Sequence, residues 1–332
     1  GRSARTLHRL LEYSPRERDF LRGAQHPLEC DVLILDEVSM VDALLFRSVL
    51  EALPKGARLI LVGDRDQLPS VGPGQVLSDL LASTSVPRVT LTEIFRQAEE
   101  SLIVRNAHRV HRGELPELSR GVEEGGDFFL VDRHDPDDIA DLIVEMVARR
   151  IPSRFGLDPQ RDVQVLSPMR RGRLGVRALN ERLQSELNPD GETFPAARGL
   201  RVGDRVGQLR NNYDLNVYNG DIGCVARLDR DEGTMVIDFE GREVQYSSRD
   251  LEDLALAYAT SIHKSQGSEF PAVVVPLHTE HYVMLQRNLF YTAITRGRQL
   301  VVVVGPRAAI TRAVHTTDGD RRRTRLAGLL GG

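Results

Sequence analysis

The chain has 332 residues, 41% of them hydrophobic, with 44 Lys and Arg against 48 Asp and Glu for a net charge of −4. That length implies two or three domains with ordinary cores. The charge excludes a protein that coats nucleic acid nonspecifically, but it leaves room for a local basic channel. The opening stretch, GRSARTLHRL, holds no signal-peptide apolar core, and no apolar run is long enough to span a membrane. Cys30 and Cys224 form no metal-ligand pattern and fit a reducing, cytoplasmic setting. Lysine occurs only at Lys55 and Lys264, neither two residues after an acid, which excludes a nuclease centre of the ExK type. Trp is absent, so stacking on single-stranded bases would fall to few residues.

In chain order, residues 3–12 predict a helix capped at its serine end, with Leu7, Leu10 and Leu11 at helical spacing and Thr6 and His8 near its start. The polar stretch that follows, punctuated by Pro15 and Gly23, reads as a protruding hairpin or as a solvated connection. Residues 31–40, DVLILDEVSM, place four apolar residues directly before Asp36 and Glu37. Such a run predicts a buried parallel strand whose carboxyl end faces a ligand. Two carboxylates there suit nucleotide hydrolysis, one holding Mg²⁺ and one directing a water; a strand entering an acidic surface turn gives the same pattern.

Residues 41–53 predict a helix ended by Pro54-Lys55-Gly56, and 59–62 a second strand that stops at Gly63-Asp64. Gln67 and a loop of Pro69, Ser70, Gly72, Pro73 and Gly74 follow. A third strand is expected at 86–91, leading to Arg96. The three strands would deliver acids, an amide and a guanidinium to one sheet edge, the parts that phosphoryl transfer requires.

A second α/β unit is expected after a helix at 99–112 and the boundary GVEEGGD: strand 128–131, helix 137–149, strand 163–167 and helix 174–187. Tight-turn signals at Asn219-Gly220-Asp221, Asp231-Glu232-Gly233 and Glu240-Gly241-Arg242 predict a small inserted antiparallel barrel over 201–251. Strand 254–260, loop 261–269, strand 272–276, helix 284–296 and strand 300–304 complete the unit. The tail, with Arg321-Arg322-Arg323, reads as a solvated terminus.

The ordered set LILDEVSM, LVGDRDQLPSVGPGQVL, LTEIFRQ, YATSIHKSQGSEF and NLFYTAITRGR resembles superfamily-one DNA helicases of the RecD type over nearly the whole chain. The resemblance implies an α/β fold of two RecA-like P-loop NTPase motor domains with a small inserted SH3-like β-barrel. Residues 1–112 would be the carboxyl-terminal part of the first motor domain with a hairpin insertion at 13–27; 113–198 plus 254–332 would be the second, and 199–253 the barrel. It implies ATP and Mg²⁺ as cofactors. Asp36 would hold the metal, Glu37 activate water, and Gln67 couple the γ-phosphate to the DNA-facing loop. Arg96 and Arg296 would reach the γ-phosphate from opposite domains, with Gly267 and Glu269 beside the nucleotide.

For single-stranded DNA the resemblance points to Thr6 and His8, to Pro69, Ser70 and Val71, and to His263, Lys264 and Ser265. It adds the barrel's Arg205, Asn211, Asn212, Tyr213 and Asn219, and places residues 16–22 where relatives carry a duplex-parting pin. The implied activity is ATP-dependent 5′ to 3′ movement on single strands with unwinding at single-strand/duplex junctions, by a monomeric motor or within a larger repair complex. A noncatalytic single-stranded DNA-binding module and an RNA helicase of the same superfamily are the alternatives. The sequence departs from the family in lacking a G-x-x-x-x-G-K-[ST] loop. The chain is therefore expected to be the carboxyl-terminal part of a longer motor and to bind ATP poorly alone.

Overall fold

The structure, a computed structural model, describes residues 4–91, 100–118, 126–193, 197–317, 322 and 324–330. Chain contacts divide it into a first unit, residues 1–93 with 318–332, and a second, residues 94–317. Among the described residues no helix is long and apolar enough to cross a membrane.

In the first unit, helix Leu7–Leu10 is capped by Thr6, whose hydroxyl accepts from Arg9 N; the serine expected to cap it lies outside the described residues. The segment after it is a hairpin of β1 (Tyr13–Ser14) and β2 (Asp19–Phe20), antiparallel with Tyr13 opposite Phe20. The Tyr13 and Phe20 rings lie 5.4 Å apart and both pack on the His8 ring, at 5.7 and 5.5 Å. Each such aromatic pair is worth roughly 0.5–1.5 kcal/mol beyond the area it buries, enough to hold a short hairpin against the helix.

β3 (Val32–Leu35) and β4 (Arg58–Leu61) pair in parallel, joined by helix Ala43–Ala52, whose N-cap Asp42 accepts from Leu44 N and Leu45 N. Leu33 and Leu35 point into a core with Phe46, Val49, Val76 and Leu80. On the other face Val32 and Ile34 are 45% and 62% exposed. The strand expected to be buried on both sides is thus buried on one, and β3 and β4 pair only with each other among the described residues. The strand expected at 86–91 is not formed. Pro87 offers no N–H to a ladder, and Val89 and Leu91 stand exposed.

The strands of the second unit are β5 (Phe128–Val131), β6 (Val163–Ser167), β7 (Arg205–Gln208), β8 (Ile222–Asp229), β9 (Thr234–Phe239), β10 (Arg242–Tyr246), β11 (Leu254–Leu256), β12 (Ala259–Ser261), β13 (Phe270–Pro276) and β14 (Gly297–Val304). A parallel sheet has the order β12-β6-β13-β14-β5, and an antiparallel sheet the order β10-β9-β8-β7-β11. The apolar run expected to form one strand over 254–260 serves both: Leu254–Leu256 pairs with β7, and Ala259–Ser261 pairs with β6. The barrel sheet therefore extends past the expected boundary at 253.

Other boundaries move as well. Helix Leu102–His111, expected in the first domain, packs in the second unit on helix Arg287–Ile294. The helix expected at 137–149 runs from Pro136 through a π-helical turn at Met146–Arg150 to Phe155, where Gly156 closes it in the left-handed region. The expected 284–296 helix is a 3₁₀ segment, Thr279–Met284, followed by Arg287–Ile294. The tail is not a solvated end: helix Leu326–Leu330 packs on helix Val76–Ala82 of the first unit.

Two buried charges tie barrel to parallel sheet. Asp204, fully buried, accepts from Gln184 Nε2 at 2.6 Å, Asn188 Nδ2 at 2.7 Å, Arg201 N at 2.7 Å and Tyr258 Oη at 3.0 Å. Arg205 donates to the carbonyls of Gln160 and Val163, at 2.8 and 3.0 Å, and burial pulls its guanidinium down to about 10. Arg205 thus faces inward, away from any nucleic acid the barrel could meet.

Two predictions follow from this packing. Asp204→Ala orphans four donors and should cost about 2–4 kcal/mol in urea unfolding. Burial, reinforced by His278, pulls the His281 imidazole down to about 4 from 6.5. Between those values the unfolded chain binds a proton that the folded one refuses, so stability should fall as pH drops through that window, by up to about 3 kcal/mol from this group. His281→Asn, which keeps an acceptor, should flatten that loss in pH-dependent denaturation.

Candidate nucleotide and nucleic-acid site

The parallel ladder builds the first half of the site. Leu35 stands opposite Leu61, Val62 N donates to Leu35 O at 2.8 Å, and Val38 N donates back to Val62 O at 3.0 Å. The segment Asp36-Glu37 and the segment Gly63-Asp64 therefore leave the same sheet edge side by side. Gly63 is closely packed: a Cβ there would lie 3.1 Å from Val38 N and 3.3 Å from Ser39 N, so the turn would have to give by a few tenths of an ångström.

Asp36 is exposed and one of its oxygens accepts from Glu37 N at 2.8 Å. Glu37 sits at φ 53°, ψ 42°, left-handed and unusual for a non-glycine residue. Backbone strain of this kind, worth of order 1–3 kcal/mol, survives where the surroundings dictate it and gathers at functional sites. The short 3₁₀ helix Val38–Met40 that follows turns the chain away, leaving both carboxylates at the edge.

Gln67 is tucked under the next loop, 8% exposed, and its Oε1 has no hydrogen-bond partner among the described residues. Beyond it Ser70 is buried, with its hydroxyl 3.4 Å from Gly72 O, while Val71 stands 90% exposed at the tip. The loop rests on the start of helix Ala43–Ala52: Ala43 N donates to Pro73 O at 2.9 Å, and a Cβ at Gly72 would collide with the Asp42 carboxylate. Thr6 is exposed, and burial lowers the half-buried His8 imidazole against the opposing pull of Asp42. Arg96 lies outside the described residues.

In the second unit the candidates fall into two groups. His263, Lys264 and Ser265 follow the carboxyl end of β12, whereas Gly267, Glu269 and Arg296 stand before the amino ends of β13 and β14. Arg296 is buried and folded back, donating Nη1 to Ser268 O at 3.1 Å and Nε to Thr292 O at 3.3 Å. Glu269 is exposed and paired with Arg298 at 2.8 Å. Phe270 N donates to Arg296 O, which holds the two together.

Lys264 reaches Gln208 O at 3.4 Å, and burial together with Arg170 lowers both its ammonium and the His263 imidazole. Ser265 is 1% exposed and its hydroxyl donates to Ile262 O, so in this conformation it closes the loop and offers nothing to a ligand. A cavity of about 490 Å³ between barrel and parallel sheet is lined by Arg170, Asn180, Gln208, Thr260, Lys264 and Phe270 among others. On the barrel, Asn211 is held by Asn219 N and Tyr213 Oη, Asn212 caps Leu215 N, and the Tyr213 ring meets Tyr218 edge-on at 6.2 Å.

The sequence reading missed Arg170, Tyr218, Ser39 and Arg322. Arg170 had a signal, since it follows the carboxyl end of β6 as Asp36 follows β3. Arg322 stood in the Arg321-Arg322-Arg323 run that reads as a solvated terminus, and Ser39 and Tyr218 had no signal.

The family described as ATP-dependent RecD-like DNA helicase SH3 domain matches residues 179–239, an AAA domain family matches 1–128, and the UvrD-like helicase C-terminal domain matches 256–304. The chain is 39% identical over 311 residues to the ATP-dependent RecD2 DNA helicase of Deinococcus radiodurans, covering 93% of this chain and 41% of that protein. It is 35% identical over 347 residues to the RecBCD enzyme subunit RecD of Mycolicibacterium smegmatis, covering 99% and 60%. The chain thus spans well under two thirds of either relative. A crystal structure of a Bacteroides Pif1 helicase in complex with ADP-AlF3 and ssDNA shares the fold, with a TM-score of 0.51 at 21% identity over 97% of this chain and 80% of that one.

One outcome checks the strain at the acidic turn. Glu37→Gly should be about 1 kcal/mol more stable than Glu37→Ala in denaturant unfolding, since both lose the carboxylate and only alanine keeps the left-handed penalty.

Proposed function

Because the chain belongs to the RecD-like family of superfamily-one helicases, we propose that it works as the motor of an ATP-dependent DNA helicase moving 5′ to 3′ on single strands, the polarity the resemblance implies. The observation that carries this reading is the edge of β3 and β4. An exposed carboxylate, a strained glutamate and a buried glutamine project there within one short stretch of sheet.

The residues suit Mg²⁺ bound with a nucleotide. Asp36 offers a hard oxygen ligand, and among the described residues no three His, Cys, Asp or Glu side chains cluster as a closed metal site. Bound at Asp36, the metal would neutralise charge on the phosphates. Glu37 accepts the proton of the attacking water. Gln67 senses the terminal phosphate and hands its state to the loop of Pro69, Ser70 and Val71. Arg96 and Arg296 supply guanidinium charge to the γ-phosphate, with Gly267 and Glu269 alongside. For Arg296 this requires leaving the carbonyls it now holds, so its engagement is coupled to a conformational change.

Thr6, His8, Val71, His263 and Lys264 form the DNA-facing set, and the barrel residues Asn211, Asn212 and Tyr213 extend it. Contacts of this kind grip backbone and stacked bases without reading sequence. The hairpin tip at 16–18 is the candidate wedge at a single-strand/duplex junction. The chemistry fits a cytoplasmic DNA-repair or recombination setting, as a monomer or inside a larger assembly.

The test is ATP hydrolysis by the full-length natural protein with and without single-stranded DNA. Turnover should rise with DNA and fall at least ~100-fold in Glu37→Gln, the scale of a lost general base. Turnover indifferent to DNA, or surviving that substitution, would sink the motor reading. Equal unwinding of RNA duplexes with 5′ tails would move the substrate from DNA to RNA.

A further inference from the structure

Residues 322 and 324–330 lie in the first unit although they follow the last helix of the second, Arg307–His315. Their attachment is specific. Arg322 Nη1 donates to Gly72 O at 2.7 Å and to Gly74 O at 3.4 Å, while its own carbonyl accepts from Gln75 Nε2 at 3.3 Å. Thr324 Oγ1 donates at 2.6 Å to Oδ2 of Asp79, a carboxylate only 6% exposed. Leu326 and Leu330 pack on the core of β3 and helix Val76–Ala82, and Ser85 Oγ donates to Leu330 O at 3.0 Å.

The bonds fall on one turn. Gly72 and Gly74 bracket Pro73, whose carbonyl is already held by Ala43 N. Arg322 grips the two carbonyls on either side of it, so the loop is pinned between helix Ala43–Ala52 and the returning segment. Arg322 also lines a polar cavity of about 180 Å³ with Ser39, Gln67, Ser70 and Gln75. Gln67 Oε1 and Ser39 Oγ are buried there without hydrogen-bond partners among the described residues. The side chain thus stands beside the glutamine at one end of the loop and ties the glycines at the other, leaving Val71 exposed between them.

We propose that Arg322 is a positioning residue that clamps the turn at 72–74, so that the loop at 69–71 is presented to single-stranded DNA in the conformation that Gln67 can follow. This rests on the helicase reading. A guanidinium serves here because the two N–H groups of Nη1 meet two carbonyls and its charge is not lost by deprotonation.

The test compares full-length wild type with Arg322→Ala and Arg322→Lys by three readings: DNA-free ATP turnover, the single-stranded DNA concentration giving half-maximal stimulation, and hydrogen exchange at amides 70–76. Arg322→Ala should raise the half-stimulating concentration at least ~5-fold and speed exchange at 70–76, with DNA-free turnover and Tm unchanged; Arg322→Lys should recover part of both. An unchanged half-stimulating concentration, or one that shifts only in step with Tm and DNA-free turnover, overturns the proposal. Should Arg322→Ala not fold, Arg322→Gln, which keeps a donor, is read the same way. A wild type without DNA-stimulated turnover defeats the helicase reading instead, and exchange at 70–76 then still reports whether Arg322 holds the turn.

Discussion

The in-register parallel pairing of Leu33–Leu35 with Leu59–Leu61 is the constraint on which the candidate site depends. Parallel strands present their carboxyl ends at the same edge, so a one-residue match in register places Asp36-Glu37 beside Gly63-Asp64. A slip of one residue would swap Leu33 and Leu35 for Val32 and Ile34 in the core and carry both acids away from the glycine that accommodates their turn. The alternating burial of the pair enforces the register, and the register delivers the chemistry. The left-handed backbone at Glu37 is the local cost of turning there without a glycine.

The second unit solves a different problem, which is to carry a barrel without leaving it loose. One continuous apolar stretch feeds two sheets, with Leu254–Leu256 ending the barrel and Ala259–Ser261 starting the edge of the parallel sheet. Asp204 and Arg205, adjacent in sequence, anchor in opposite directions: the acid gathers donors from helix Val176–Leu187 and Tyr258, and the guanidinium caps carbonyls ahead of β6. A buried charge is tolerable only when it is paired: Asp204 takes four donors, and Arg205 Nη1 donates to the carbonyls of Gln160 and Val163. The cavity lined by Lys264 and Gln208 is the space this attachment leaves.

Much of the candidate edge was legible because its signals are short-range. A few apolar residues ending at an acid, a strand ending at glycine, and helical spacing of Leu each report on their own neighbours, and the carboxyl-end rule turned them into a site. That rule is silent about Gly267, Glu269 and Arg296, which stand at amino ends; only likeness to a family pointed to them. It was also misapplied at 86–91, where hydrophobicity suggested a strand and Pro87 denied it a ladder.

The sequence by itself determined which segments could be strands, where the acidic pair would emerge, and that turns would crowd into 201–251, because propensity, periodicity and turn chemistry are carried by adjacent residues. Tertiary structure alone decided that Arg205 and Ser265 point inward, that Arg296 is folded onto its own helix, that helix Leu102–His111 joins the second unit, and that Arg322 returns to grip the loop beyond Gln67. Arg205, helix Leu102–His111 and Arg322 depend on partners dozens to hundreds of residues away, whereas Ser265 and Arg296 bond near neighbours and are buried by the unit that closes round them. No local pattern encodes such a partner, since hydrogen-bond and burial energies are settled only when the distant groups meet.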